Sequence, residues 1–285
     1  MVRTRKGKGK GKAKASTSAD YDTERFVSQA TQETFFGKLM TRRINAERGF
    51  QPGPQDGHLH RMIRERQWQK LCAPPPPFAP ILVKEFYANA SDPDEDPTNV
   101  YLRGERITYT PADIREYYSL PAVDHSPYTD FLAGQPDLDM IVHALCRPDT
   151  ECRPAREGGG TMVFSHTTLS RYGRAWYHFL CQNLMPTSHL SDVTPPRARL
   201  LYAIIHGIQF DAAVIIAESI HQAIRHKSTG GMCMPALICG LGLVEGIVLE
   251  KNEPLERPKA PIDSTTIAAY EETTDGVPDP RGEGP

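Results

Sequence analysis

The stretch TTLSRYGRAWYHFLCQNL (Thr167–Leu184) decides the fold class. Leu169, Tyr172, Ala175, Trp176, Phe179 and Leu180 recur at three- and four-residue intervals, which gathers them on one wide face of an α-helix. Pro186 closes that helix, because proline lacks the N–H that the next turn requires. Downstream, Thr194-Pro195 starts a second helix carrying Leu200, Leu201, Ile204 and Ile205. Asp211 caps a third, with Val214, Ile215, Ala217, Ile220 and Ile224, and Gly207 breaks the chain between the two. Pro235 opens a short apolar helix to about Leu243. Thr167 to Leu243 is therefore the expected core.

Upstream of that core the signals are weaker but similar in kind. Phe26, Ala30, Phe35, Leu39 and Ile44 predict one amphipathic helix, or a broken pair, between Tyr21 and Arg48. His60–Leu71 is read as a short helix carrying Trp68, followed by the stiff Pro74–Pro77 spacer. Ile81–Asn89 is read as a helix, with a strand as the alternative. Val100, Leu102, Ile107 and Tyr109 alternate about Gly104 and predict a β-hairpin. Thr110-Pro111 caps a helix that runs to Tyr118, and Leu138, Ile141, Val142 and Leu145 form another. Arg147–Gly160, with two prolines and three consecutive glycines, is expected to be a mobile loop. The fold class is thus mainly α: an irregular multi-helix globular domain with one small β-hairpin and disordered termini.

Charge divides the chain differently. Arg3, Arg5, Lys6, Lys8, Lys10, Lys12 and Lys14 place seven cations and no acid in the first fourteen residues; in a chain of net charge −2, the remainder carries −9. Such an arm meets a phosphate backbone without reading bases, and these seven residues are the assigned nucleic-acid contacts, with DNA or RNA as partner. The same charge density suits a nuclear-import signal or plain solubilisation. Residues 1–19 are read as a disordered arm, 20–250 as the folded body and 251–285 as an acidic, proline-containing tail. Six dispersed cysteines suit free thiols in a reducing compartment, and the start does not read as a secretory signal, so nucleus or cytoplasm is the expected location. No run approaches the ~20 apolar residues of a membrane span, and no membrane partner is assigned.

No catalytic motif emerges from the body. Cys146/Cys152 and Cys233/Cys239 are too widely spaced for common zinc knuckles. His206, His221 and His226 lack the spacing of a zinc-hydrolase helix. His166, His178 and His189 lie among Ser165, Ser170 and Ser188 without a sequence pattern that ties nucleophile, base and acid together. Asp113, Glu116, Asp137, Asp139, Asp211, Glu218 and Glu245 are candidate carboxylates for a metal-dependent DNA-processing enzyme, the first alternative function. Gly158-Gly159-Gly160-Thr161 lacks the lysine of a phosphate loop, and Arg103 and Arg106, separated by Glu105, read as a solvated turn. A third reading is a protein-interaction module using the apolar face around Trp176. No cofactor or metal ligand is assigned.

Four phrases, in order, carry a resemblance: Leu82–Asn89 (LVKEFYAN), Val100–Glu105 (VYLRGE), Leu184–His189 (LMPTSH) and Met234–Cys239 (MPALIC). Together they resemble the plant transposon protein domain family, associated with plant retroelement-derived sequences, over about Glu24 to Glu250. Met232-Cys233-Met234 departs from the more aromatic approach to the last phrase. The resemblance implies a mobile-element origin and a plant source, and it carries no catalytic residue onto this chain. The expected function is a non-enzymatic scaffold associated with nucleic acid.

Overall fold

Ser28 begins the first helix by a capping box: its hydroxyl accepts the Thr31 N–H at 3.3 Å, and the Thr31 hydroxyl accepts the Ser28 N–H at 3.2 Å. The computed structural model describes residues 21–94, 96–156, 158–225 and 231–270. The basic arm 1–19, His226 and residues 271–285 of the expected tail lie outside them. Helix α1 (Gln29–Thr34) passes directly into a π-turn, Phe35–Leu39, in which the Met40 N–H reaches the Phe35 carbonyl at 3.0 Å. The chain then straightens into β1 (Ile44–Asn45) and β2 (Phe50–Gln51). The single helix or broken pair expected across Tyr21–Arg48 is thus one short helix continued by a π-turn, in a segment that contains the helix-weakening Gly37.

The helix expected at His60–Leu71 is also divided, into α2 (Gly57–Glu65) and α3 (Gln69–Cys72). Gln67 sits at φ 55°, a left-handed conformation that ends the first piece, and the Trp68 N–H bonds the Ile63 carbonyl at 2.9 Å. After the prolines comes α4 (Pro80–Asn89), the helical alternative of the two readings. The hairpin forms as expected from β3 (Asn99–Leu102) and β4 (Glu105–Thr108), and Arg103 and Gly104, both at positive φ, supply its two-residue turn. Helix α5 (Pro111–Tyr118) starts at the Thr110/Asp113 capping box. Next come α6 (Ser126–Ala133), which the sequence reading did not anticipate, and α7 (Leu138–Leu145).

The Arg147–Gly160 loop is partly built into structure. Within it β5 (Arg153–Pro154) pairs with β6 (Met162–Ser165), which pairs in turn with β7 (Asp192–Val193). Helix α8 (Arg171–Asn183) begins two residues after Leu169, the first residue of the apolar pattern, because Ser170 accepts the Gly173 N–H at 3.1 Å and so fixes the cap. Helices α9 (Pro195–Ile205) and α10 (Ala212–Arg225) flank Gly207 at φ 73°. Strand β8 (Met232–Cys233), α11 (Pro235–Val244), β9 (Ile262–Asp263) and α12 (Ser264–Ala268) complete the described chain.

The single-hairpin expectation is therefore too simple. Parallel pairs β1–β8 and β2–β9 and the three-stranded β5–β6–β7 sheet join the β3–β4 hairpin around a mainly helical body. The core extends well beyond Thr167–Leu243, from Phe26 to Tyr270. In particular, residues 251–270, expected as the beginning of an acidic tail, fold back onto the body. Ile262 donates its N–H to the Gly49 carbonyl at 2.8 Å, and the side chains of Ile262 and Ile267 are fully buried. Burying two such side chains contributes roughly 1.5–3 kcal/mol each toward holding the returning segment.

Candidate functional site

The interior settles which side chains are committed to the fold. Trp176 is fully buried, with its ring 4.7 Å from Phe50 and 5.5 Å from Phe179. The apolar face that the protein-interaction reading required is core. The thiols are also interior: all six cysteines are free, five are buried, and burial pushes Cys233 and Cys239 up to about 12 and Cys146 and Cys181 up to about 11. Among the described residues, no group of three or more His, Cys, Asp and Glu side chains converges as a metal site would.

Three of the seven candidate carboxylates and two of the three candidate serines have structural tasks. Asp113 caps α5, and Asp211 accepts the Ala213 N–H at 2.9 Å while pairing with Arg115. Glu218 holds Gln222 one turn away. Ser165 and Ser170 cap helical turns with their hydroxyls. His166 and His178 do come together, 5.5 Å apart between ring centroids, but His166 contacts the Ser191 carbonyl, and His178 Nδ1 shares a 2.9 Å hydrogen bond with the Tyr270 hydroxyl. Burial, with the nearby His166 and Arg174, pushes His178 down to about 4, which keeps the ring neutral where it meets the returning chain end.

Sequence reading missed three buried charge clusters. Glu85, fully buried on α4, receives Arg25 from the N-terminal segment and Arg103 from the hairpin turn, the latter at 2.8 Å; Arg103 also holds Glu253 at 2.7 Å. Arg103 is thus an interior latch, not the solvated turn residue expected. Burial opposes charge on Glu253, yet the Arg103 hydrogen bonds outweigh it and keep that carboxyl below its ordinary range. Asp56 pairs with Arg171 at 2.9 Å. Glu47 accepts the N–H groups of Ala236 and Leu237 at 3.1 and 2.9 Å, capping α11 where Met234 offers no side-chain cap. Burial pushes Glu47 up to about 7, against the pull of those two N–H donors. No local pattern announces these pairs, since each partner lies far away along the chain.

Two surface features remain. A cleft of about 640 Å³ opens between the Gln67 turn, Leu120–Val123 and the α9–α10 connection. Trp68 and Phe210, in edge contact at 5.6 Å, form its nearly buried floor, and Gln67, His206 and Gln209 lie at its exposed margin. The second is the π-turn, where Phe36 is 58% exposed beside Phe35 at 1%. The seven arm residues assigned to nucleic acid lie outside the described residues.

These features define a class: a mainly helical domain whose buried charges brace its own elements, and in which no described group assembles a recognisable catalytic centre. Residues 64–242 match the family described as "Putative plant retrotransposon-related domain", and the chain belongs to that family. All four phrases of the sequence resemblance fall inside the matched span. No curated protein and no solved structure gives a match. Among the described residues, no helix is long and apolar enough to cross a membrane.

Proposed function

We propose that this chain is a non-enzymatic, mobile-element-derived scaffold that associates with DNA or RNA through Arg3, Arg5, Lys6, Lys8, Lys10, Lys12 and Lys14. One observation carries the reading: seven cations without an acid precede a remainder of net charge −9. Phosphate binding grows with the number of cations that displace condensed counterions, and the arm is the densest such group in the chain. A scaffolding role is supported by the engagement of Asp113 in a cap and of Asp211 in a cap and an ion pair, carboxylates a nuclease would need for metal. The same charge density suits a nuclear-import signal, and the nucleus or cytoplasm is the location that goes with this reading.

The test is a salt series of binding to fluorescent DNA and RNA, comparing the full chain with a full-length variant whose seven arm cations are Gln or Ser. Neutralisation is expected to weaken binding and flatten the dependence of log K on log salt, by up to roughly six for duplex DNA if all seven meet phosphates. Identical curves would remove the arm's role. Magnesium- or manganese-dependent strand cleavage, lost on substitution of one body carboxylate in a folded variant, would favour the enzymatic alternative.

A further inference from the structure

We infer that the surface of the π-turn is a second nucleic-acid contact, selective for single strands, in which Lys38 and Arg43 meet phosphates and the Phe36 ring receives an unpaired base. This rests on the arm reading and extends the contact onto the folded body. The first support is an aromatic left outside by the backbone. Residues 35–39 turn as a π-helix, so Phe35 and Leu39 point into the core while Phe36 and Met40 are 58% and 38% exposed. Isolated π-turns concentrate at functional sites. The exposed ring is also held in place: it meets Phe35 edge-on at 4.9 Å and Phe26 at 6.4 Å. A braced ring presents a stacking surface at a smaller entropic cost than a freely rotating one.

The second support is local charge. Residues 34–46 hold three cations and no acid within an otherwise acidic body. Lys84 joins them from α4, its ammonium 2.6 Å from the Met40 carbonyl. The neighbouring acids are engaged: Glu33 with Gln29 at 2.9 Å, Asp92 with Ser28 at 2.6 Å, and Glu47 at the start of α11. Beside the turn lies a hollow of about 410 Å³ bordered in part by Thr34 and Lys38. The third support is continuity with the arm. The described chain begins at Tyr21 and packs Phe26 against Phe36, while the six residues between Lys14 and Tyr21 span at most roughly 25 Å. One strand can therefore meet both. Aromatic rings flanked by cations favour single strands, because a duplex keeps its base faces stacked internally.

The full-length protein is titrated with fluorescent oligothymidine and with a duplex of equal length, using Phe36→Ala, Phe36→Trp and the Lys38→Gln/Arg43→Gln pair. Phe36→Ala is expected to weaken single-strand binding roughly five- to a hundredfold with little change on duplex, and Phe36→Trp to retain it. The Gln pair is expected to lower the single-strand salt slope by about 0.7 for each lost phosphate contact. Retained binding by Phe36→Trp separates a stacking role from misfolding. Unchanged single-strand affinity in Phe36→Ala and the Gln pair, while arm neutralisation still abolishes binding, would overturn this inference and leave the arm reading intact. Absence of binding by the unaltered protein would remove both. Loss of self-association in Phe36→Ala, with nucleic-acid affinity unchanged, would overturn it in favour of a protein-binding face.

Discussion

Helix α8 and the π-turn after α1 both carry closely spaced aromatic residues, yet they end in opposite environments. In α8, regular periodicity directs Trp176, Phe179 and Leu180 inward, and all three are fully buried. In the π-turn the wider helical turn accommodates two adjacent phenylalanines by burying Phe35 and leaving Phe36 outside. Aromatic content alone does not separate a core helix from a contact surface. The backbone period, which sets how far each ring is exposed, does.

The largest expected effect sharpens this contrast. Trp176→Ala should destabilise the protein by about 3–5 kcal/mol in chemical denaturation, since it empties a site between Phe50, Trp68 and Phe179. A loss below about 1 kcal/mol would mean that α8 is not the centre of the core. Glu85→Ala should cost about 3 kcal/mol or more, because it leaves Arg103 with a side chain only 12% exposed and removes a partner of Arg25. Arg25 lies over the Phe26 and Phe35 rings at 5.3 and 5.1 Å, so faster amide exchange in residues 25–39 should accompany that loss.

Glu47 tests the core side of the comparison through pH. Its folded-state pKa of about 7 exceeds the ordinary carboxyl value near 4.3 in an unfolded chain, so between those values the folded state retains a proton that the unfolded state has released. Stability should therefore fall as pH rises from about 4.5 to about 7, by about 3 kcal/mol from this group, and then level off. Glu47→Gln should remove that component of the slope; an unaltered pH profile in the variant would contradict it. The smallest stability effect is expected at the surface: Phe36→Ala should change unfolding free energy by less than about 1 kcal/mol. A loss like that of Trp176→Ala would place Phe36 in the core and erase the contrast.

Features encoded over a few neighbouring residues were legible in the sequence. Thr110-Pro111, the Arg103-Gly104 turn, the stripes of α7 and α8 and the proline starts of α9 and α11 all became the expected elements. What escaped depends on distant partners. Ile44 pairs with Met232 and Phe50 with Ile262, and no two-residue strand signals its mate. The returning segment carries its apolar residues Ile262, Ile267 and Tyr270 among prolines and charges, too sparsely to reveal a periodic face. Arg103 likewise read as a surface cation because Glu85 and Glu253 come from other parts of the chain. The arm was legible as charge alone. At the π-turn, the inward pair Phe35 and Leu39 already excluded Phe36 from the buried stripe, and that omission was the available signal for an exposed ring.

Photochemical cross-linking of the full-length protein to a labelled single strand, followed by mapping of the linked peptides, tests most directly where nucleic acid is held. The account predicts cross-links within residues 1–43, in the arm and around Phe36. Cross-links concentrated instead at the cleft floored by Trp68 and Phe210, with none in residues 1–43, would contradict it.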